Sequence, residues 1–295
     1  MNDEQKKVSL VLGSGGARGY AHIGVIRAIN ERGLRICNIA GTSMGAVVGG
    51  IYAAGHLDTY TEWANRLEKK DVVRLLDLSF TLKSIFKGER IFEVLKELIG
   101  DRQIEELDRG FVAVATALEE QREVWLNKGS LFQAIRASSA VPGVFTPVEL
   151  EGKTLVDGGL VNPIPIAPTL NDTTDFTIAV NLNALDEPTR RVWKRETRPP
   201  EDREDGYREK IRQFVSEHLA LDGESEEETN VSEILSKSID VMQGAIARMK
   251  LATYAPDKVI NIPRHACSFF EFDRAEEMAE LGYDTTRRAL NDMSL

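Results

Sequence analysis

The stretch IAGTSMGAVV, residues 39–48, contains Gly41-Thr42-Ser43-Met44-Gly45, a G-x-S-x-G. Before it, Ile36 to Ala40 is apolar enough for a buried strand. After it, Val47, Val48 and Ile51 follow helical spacing, and Gly55 gives a stop. A serine held between a strand and a helix is the setting of a nucleophile elbow. The two glycines permit a sharp turn and close substrate approach, and the helix N-terminus favours developing negative charge. The same residues also describe a tight turn whose serine merely caps the helix.

Upstream the pattern repeats. Val8 to Leu12, VSLVL, reads as a buried strand that stops in Gly13-Ser14-Gly15-Gly16-Ala17-Arg18-Gly19. A helix follows, with Ile23, Ile26 and Ile29 on one stripe and Gly33 at its end. Strand, glycine loop, helix, strand, serine turn, helix predicts an α/β fold with a largely parallel sheet and helices on both faces. The glycine loop fits three chemistries unequally. A dinucleotide fingerprint needs a third glycine where Arg18 stands, and an acid some 20 residues on, where the chain reads Leu34-Arg35-Ile36-Cys37-Asn38. A phosphate-cradling loop needs a Gly-Lys-Ser/Thr ending, which is absent. An oxyanion hole needs free backbone N–H groups, and Gly15, Gly16 and Ala17 could supply them, with Arg18 adding positive charge. A turn that binds nothing is the alternative.

Farther along, residues 56–108 carry helical periodicity, with Ile91, Leu95 and Leu98 on one stripe, and are expected to form a helical cap near the site. Within them the apolar run Asp71 to Phe86, interspersed with Arg74 and Lys83, is expected to pack inside that cap; the alternatives are a membrane surface or an acyl pocket. Phe111 to Thr116 returns to strand. Ser130 and Gln133 form a capping-box pattern. Pro142 and Pro147 bracket a loop, and a short strand from Thr154 to Val156 runs into Asp157-Gly158-Gly159. Phe176 to Asn181 and Lys258 to Ile262 read as strands. Val231 to Leu251 reads as helix, and Asp273 with Glu276 as the start of a C-terminal one. Residues 186–230 are net acidic, with Pro199-Pro200 and the run ESEEE. They read as a partly mobile excursion outside the catalytic core, with an amphipathic helix around Ile211 to Leu221.

Composition narrows the classes. With 47 acidic against 37 basic residues the net charge is −10, so a nucleic-acid backbone is repelled on average. Two cysteines, Cys37 and Cys267, are too few for a disulfide framework and fit a reducing compartment. The start, MNDEQKKVSL, shows no apolar stretch of signal-peptide length, and no run is long enough to span a bilayer. A cytoplasmic protein is expected, able to touch a membrane surface peripherally; a homo-oligomer stays open. No His/Cys cluster has metal-ligand spacing, so no metal or other cofactor is expected. Of the histidines His22, His56, His218 and His265, none sits in an obvious catalytic setting, although a Ser-Asp-His order could use His218 or His265. Asp157 follows an apolar strand and precedes two glycines, which could hold its carboxylate at a strand end; Asp-Gly is also a common hairpin turn.

Three motifs occur in order: GSGGARG at 13–19, GTSMG at 41–45 and DGG at 157–159. With them come GYAHIGV at 19–25, RASSAVPGVF at 136–145 and GLVNPIP at 159–165. Together they resemble the patatin-like phospholipases, in particular their compact bacterial, RssA-type branch, over about residues 7–183 and more weakly 255–285. The resemblance implies one catalytic domain over 1–295 with a three-layer α/β/α fold. It implies a dyad in which Ser43 is the nucleophile and Asp157 the proton acceptor, with no histidine required. It also implies an oxyanion hole from the 13–19 loop and Met44, framed by the motif glycines Gly13, Gly19, Gly41, Gly45, Gly158 and Gly159, and hydrolysis of a lipid ester. Gly13-Ser14 departs from the Asp-Gly of plant patatins, and Gly158-Gly159 from the Gly-Ala also common there. A regulatory or lipid-binding protein on the same fold, without useful turnover, is the competing expectation, and a phosphate- or nucleotide-binding protein a third.

Overall fold

The computed structural model describes residues 5–75, 84–86, 89–185 and 231–291. The 186–230 excursion with its expected helix, and most of the apolar run after Leu75, lie outside the described residues. The chain divides into two compact units: Met1–Leu185 together with Ile239–Leu295, and Asp186–Ser238. All the described strands belong to the first unit.

Ten strands are described: β1 Lys7–Leu12, β2 Arg35–Thr42, β3 Ser84–Phe86, β4 Gly110–Ala117, β5 Arg122–Leu126, β6 Gly143–Phe145, β7 Val148–Leu150, β8 Lys153–Asp157, β9 Phe176–Ala184 and β10 Lys258–Pro263. The helices are α1 Ala21–Glu31, α2 Met44–Ala53, α3 Leu57–Asn65, α4 Lys69–Leu75, α5 Glu89–Ile99, α6 Leu131–Ser138, α7 Val231–Tyr254 and α8 Ala275–Asn291. The main sheet runs β10-β9-β1-β2-β4-β8-β7, with β5 also on β4. From β10 to β4 every pairing is parallel; β4–β5, β4–β8 and β7–β8 are antiparallel.

Alternation along the strands builds the two faces. Leu10 and Leu12 of β1, Ile178 and Val180 of β9 and Ile260 and Ile262 of β10 point into one apolar cluster with Ile23 and Ile26 of α1, Val48 and Ile51 of α2 and Met278 of α8. Val11 and Ala179 point the other way, against Ile164, Ile166 and Ala247 of α7. The β1 run is apolar on both faces because helices or packed chain cover both, as a parallel sheet requires.

Several expectations need correction. The segment between Pro142 and Pro147 is not all loop: β6 pairs in parallel with β3, Ser84 opposite Gly143 and Phe86 opposite Phe145. The described part of residues 56–108 is therefore helical with a strand inserted. β5 and β7 were not anticipated, and the strand leading into Asp157 runs against its neighbours. Among the described residues no helix is long and apolar enough to cross a membrane.

Candidate active site

The site is set by one edge of β4. Ala113 and Val114 pair with both β2 and β5, so β2 and β5 lie on opposite edges. Ala115, Thr116 and Ala117 pair with both β5 and β8, so β8 also lies opposite β5. Hence β2 and β8 share an edge. The ladder passes from one to the other between neighbouring residues: Thr42, the last of β2, faces Val114, and Asp157, the last of β8, faces Ala115. The two strands run toward each other and stop head to head, which brings Ser43 and Asp157 together.

Ser43 sits on a strained backbone, φ 57° and ψ −124°, between β2 and α2. The turn closes only because its flanks lack side chains. A methyl at Gly45 would overlap the Leu12 carbonyl oxygen, and one at Gly41 the Gly45 carbonyl oxygen. The Ser43 N–H donates to Ser138 Oγ at 3.0 Å, and the Ser138 hydroxyl donates to the Val114 carbonyl at 2.6 Å. Ser138 thus fastens the elbow to β4.

Asp157 is 3% exposed and Ser43 5%. Burial pushes the Asp157 carboxyl up from 3.8 to about 6, while the neighbouring Ser43 hydroxyl and the Gly159 N–H favour its charged form. The Gly159 N–H donates to Asp157 Oδ1 at 2.6 Å. The backbone of Asp157 is pinned too: its N–H donates to the Ala140 carbonyl at 2.9 Å, and Thr116 Oγ1 donates to its carbonyl at 2.9 Å. The turn after Asp157 is a short 3-10 helix, Gly158–Leu160, not a hairpin.

The glycine loop differs from expectation at two places. The Ala17 N–H is taken by the Phe269 carbonyl at 2.9 Å, so it offers no free donor. Arg18 is 1% exposed and its guanidinium is taken up by other partners: Nε donates to the Gly15 carbonyl at 3.1 Å, Nη1 to the carbonyls of Leu182 and Arg264, and Nη2 to Asp240 Oδ1 at 2.9 Å. The N–H groups of Gly15, Gly16 and Met44 find no acceptor among the described residues. Gly16, at φ 56°, holds the left-handed conformation that the loop needs there.

His22 is fully buried behind this loop and Nε2 lies 2.8 Å from the Gly13 carbonyl. A carbonyl only accepts, so Nε2 carries the proton. Burial lowers the ring's pKa to about 4. Among the described residues no histidine lines the cavity at Ser43, whose walls include Ser14, Gly15, Asp157, Leu160, Gln243 and Phe269; His218 lies outside the described residues. That cavity measures only ≈ 10 Å³, about the space of one water. A larger one of ≈ 290 Å³ opens beside Asn38 and Gly110, at the N-terminal ends of β2 and β4. Ligands of parallel sheets sit beyond the C-terminal ends, where Ser43 is. Sequence reasoning passed over Ser138, Gln243 and Phe269. Ser138 stands inside RASSAVPGVF; the other two carry no local signal.

Residues 10–170 match the family model described as patatin-like phospholipase. The chain belongs to that family. An uncharacterised NTE family protein of Mycobacterium tuberculosis is 37% identical, aligned over 96% of this chain and 91% of its own. The lysophospholipase nte1 of Neurospora crassa is 34% identical over 62% of this chain, which spans only 12% of that longer protein. Among solved structures, VipD from Legionella pneumophila aligns with a TM-score of 0.59 at 15% identity, covering 98% of this chain and 67% of that one. The patatin-like fold is therefore shared well beyond the reach of sequence identity.

Proposed function

We propose that this patatin-like protein hydrolyses carboxylic esters of lipids, with Ser43 as nucleophile and Asp157 as general base and acid. The observation that carries the reading is the shared β4 edge, which sets a strained serine against a buried carboxylate at the C-terminal end of a parallel sheet. Asp157 with a pKa of about 6 is mostly ionised at neutral pH, yet a far better base than an ordinary aspartate.

Ser43 Oγ attacks the acyl carbon as its proton passes to the Asp157 carboxylate. The N–H groups of Gly15, Gly16 and Met44 stabilise the oxyanion, because they lack other acceptors. The carbon–oxygen bond to the alcohol then breaks, and Asp157 protonates the departing alkoxide. Water attacks the acyl-serine, gives its proton to Asp157, and the serine leaves with that proton as the fatty acid departs. The lysophospholipase among the relatives favours a lysophospholipid as substrate. The small cavity means that Leu160, Val141, Pro142, Ile239 and Phe269, which wall it, must part to admit an acyl chain.

A fluorophosphonate probe and p-nitrophenyl esters of several chain lengths test this on wild type and Ser43→Ala. Labelling and turnover confined to wild type support the enzyme. The closed cavity favours a second reading, a lipid-binding regulator, which predicts lipid binding with neither labelling nor turnover.

A further inference from the structure

We propose that α7 aims the oxyanion loop, through Asp240 and Gln243 acting as positioning residues for the reaction. The proposal rests on the Ser43–Asp157 reading.

Asp240 acts through Arg18. In a trans peptide the C=O and N–H point in opposite directions, so fixing one fixes the other. Arg18 Nε holds the Gly15 carbonyl at 3.1 Å, which sets the direction of the Gly16 N–H. Asp240 in turn accepts from Arg18 Nη2 at 2.9 Å and supplies the anion that a fully buried guanidinium needs. The preceding peptide is anchored the same way: Asn183 Nδ2 donates to the Ser14 carbonyl at 3.3 Å, which sets the Gly15 N–H. Both candidate donors are thus aimed from behind by side chains that never meet the substrate.

Gln243 acts one helical turn on, from the same face of α7. It is 7% exposed, and Oε1 accepts from Ser14 Oγ at 3.0 Å. Its Nε2 lies against the acid's own turn. A methyl placed on Gly159 would stand 2.6 Å from Gln243 Nε2, 2.9 Å from Asp157 Oδ1 and 2.9 Å from Ser14 Oγ. Three polar groups therefore converge on one point, and the carboxamide of Gln243 spans from the oxyanion loop to the turn that carries the base. Neither residue lies in the three motifs, and both belong to the same compact unit as the site.

The test uses the full chain with Asp240→Asn, Gln243→Met and Gln243→Glu, followed by kcat, KM, fluorophosphonate labelling and thermal unfolding. Asp240→Asn and Gln243→Met should lower kcat by about 10- to 100-fold with KM within about twofold; the unfolding temperature should stay near wild type for Gln243→Met and fall for Asp240→Asn, which leaves the Arg18 guanidinium without its anion. Ser14→Ala combined with Gln243→Met should cost no more than the larger single change, because both break one contact. Gln243→Glu keeps an acceptor for Ser14 but sets a carboxylate beside Asp157, so the acid limb of its pH–rate profile should move to higher pH, which a purely structural role would not produce. Folded variants with wild-type kcat overturn the proposal and leave the dyad standing. So does additivity of Ser14→Ala and Gln243→Met together with an unmoved acid limb. If Asp240→Asn does not fold, the Gln243 variants decide. Full activity in Ser43→Ala would instead sink the dyad reading, and this proposal with it.

Discussion

Thr42 and Asp157 are neighbours along a single edge of β4, opposite Val114 and Ala115, although 115 positions of chain separate them. Because they end strands that approach from opposite directions, neither needs a long loop to bring its chemistry into place. Ladder hydrogen bonds fix the strand ends on both sides, the preorganisation that the proposed dyad would require.

Asp157→Asn should keep the fold and lower ester turnover by about 10²–10⁴-fold, the usual worth of a general base. His265→Ala should have no such effect. Circular dichroism and initial rates on both variants check this. The reverse outcome would move the proton to a histidine.

Turnover should rise with pH through about 6, as Asp157 loses its proton. Stability should run the other way. The folded chain holds this proton more tightly than the unfolded chain, so below 3.8 there is no penalty, and as pH climbs from 3.8 to about 6 the native state loses up to about 3 kcal/mol. Asp157→Asn removes that penalty. It should therefore be more stable than wild type at pH 7, with the gap closing toward pH 4 in urea titrations.

Ser138→Ala strips the Ser43 N–H of its acceptor and the Val114 carbonyl of a donor, both buried. A loss of about 1–3 kcal/mol is expected, with slower turnover as the elbow loosens. At the neighbouring position, Ser43→Gly should be more stable than Ser43→Ala by about 1–3 kcal/mol, because only glycine relaxes at φ 57° and ψ −124°. Equal unfolding free energies for the two would show that the elbow stores no strain.

Gly45→Ala and Gly244→Ala should differ in sign. The first drives a methyl into the Leu12 carbonyl and should cost about 1–3 kcal/mol or more. The second sits inside α7, where its new methyl would meet the flexible end of Arg248 at 3.5 Å and the Asn183 carbonyl oxygen at 4.0 Å, both ordinary contacts. It should gain about 0.5–1 kcal/mol from helix propensity. Chemical denaturation of the two proteins separates these outcomes.

The parallel half of the sheet was legible in the sequence because its strands are apolar runs, and the glycines that follow β1 and end β2 mark where the chain must turn. The antiparallel half was legible only at β8, the strand expected from Thr154 to Val156; β7, like β6 in the separate parallel pair with β3, has three residues, too few to show alternation. Which N–H of the glycine loop is free was illegible for another reason. It depends on where the Phe269 carbonyl and the Arg18 guanidinium lie, and both are set by contacts with distant chain. Asp240 and Gln243 look, in one sequence, like polar positions on any helix. Only the fold shows that Gln243 is buried and that Asp240 meets Arg18.

The head-to-head meeting of β2 and β8 also means that the proposed reactive pair is divided between the two halves of the chain. The turn at 118–121, between β4 and β5, is exposed and separates them. A protein split there would put Ser43 on one fragment and Asp157 on the other, each inert alone. Ester turnover would then report reassembly of the sheet directly, so the molecule could serve as its own complementation sensor without a fused reporter.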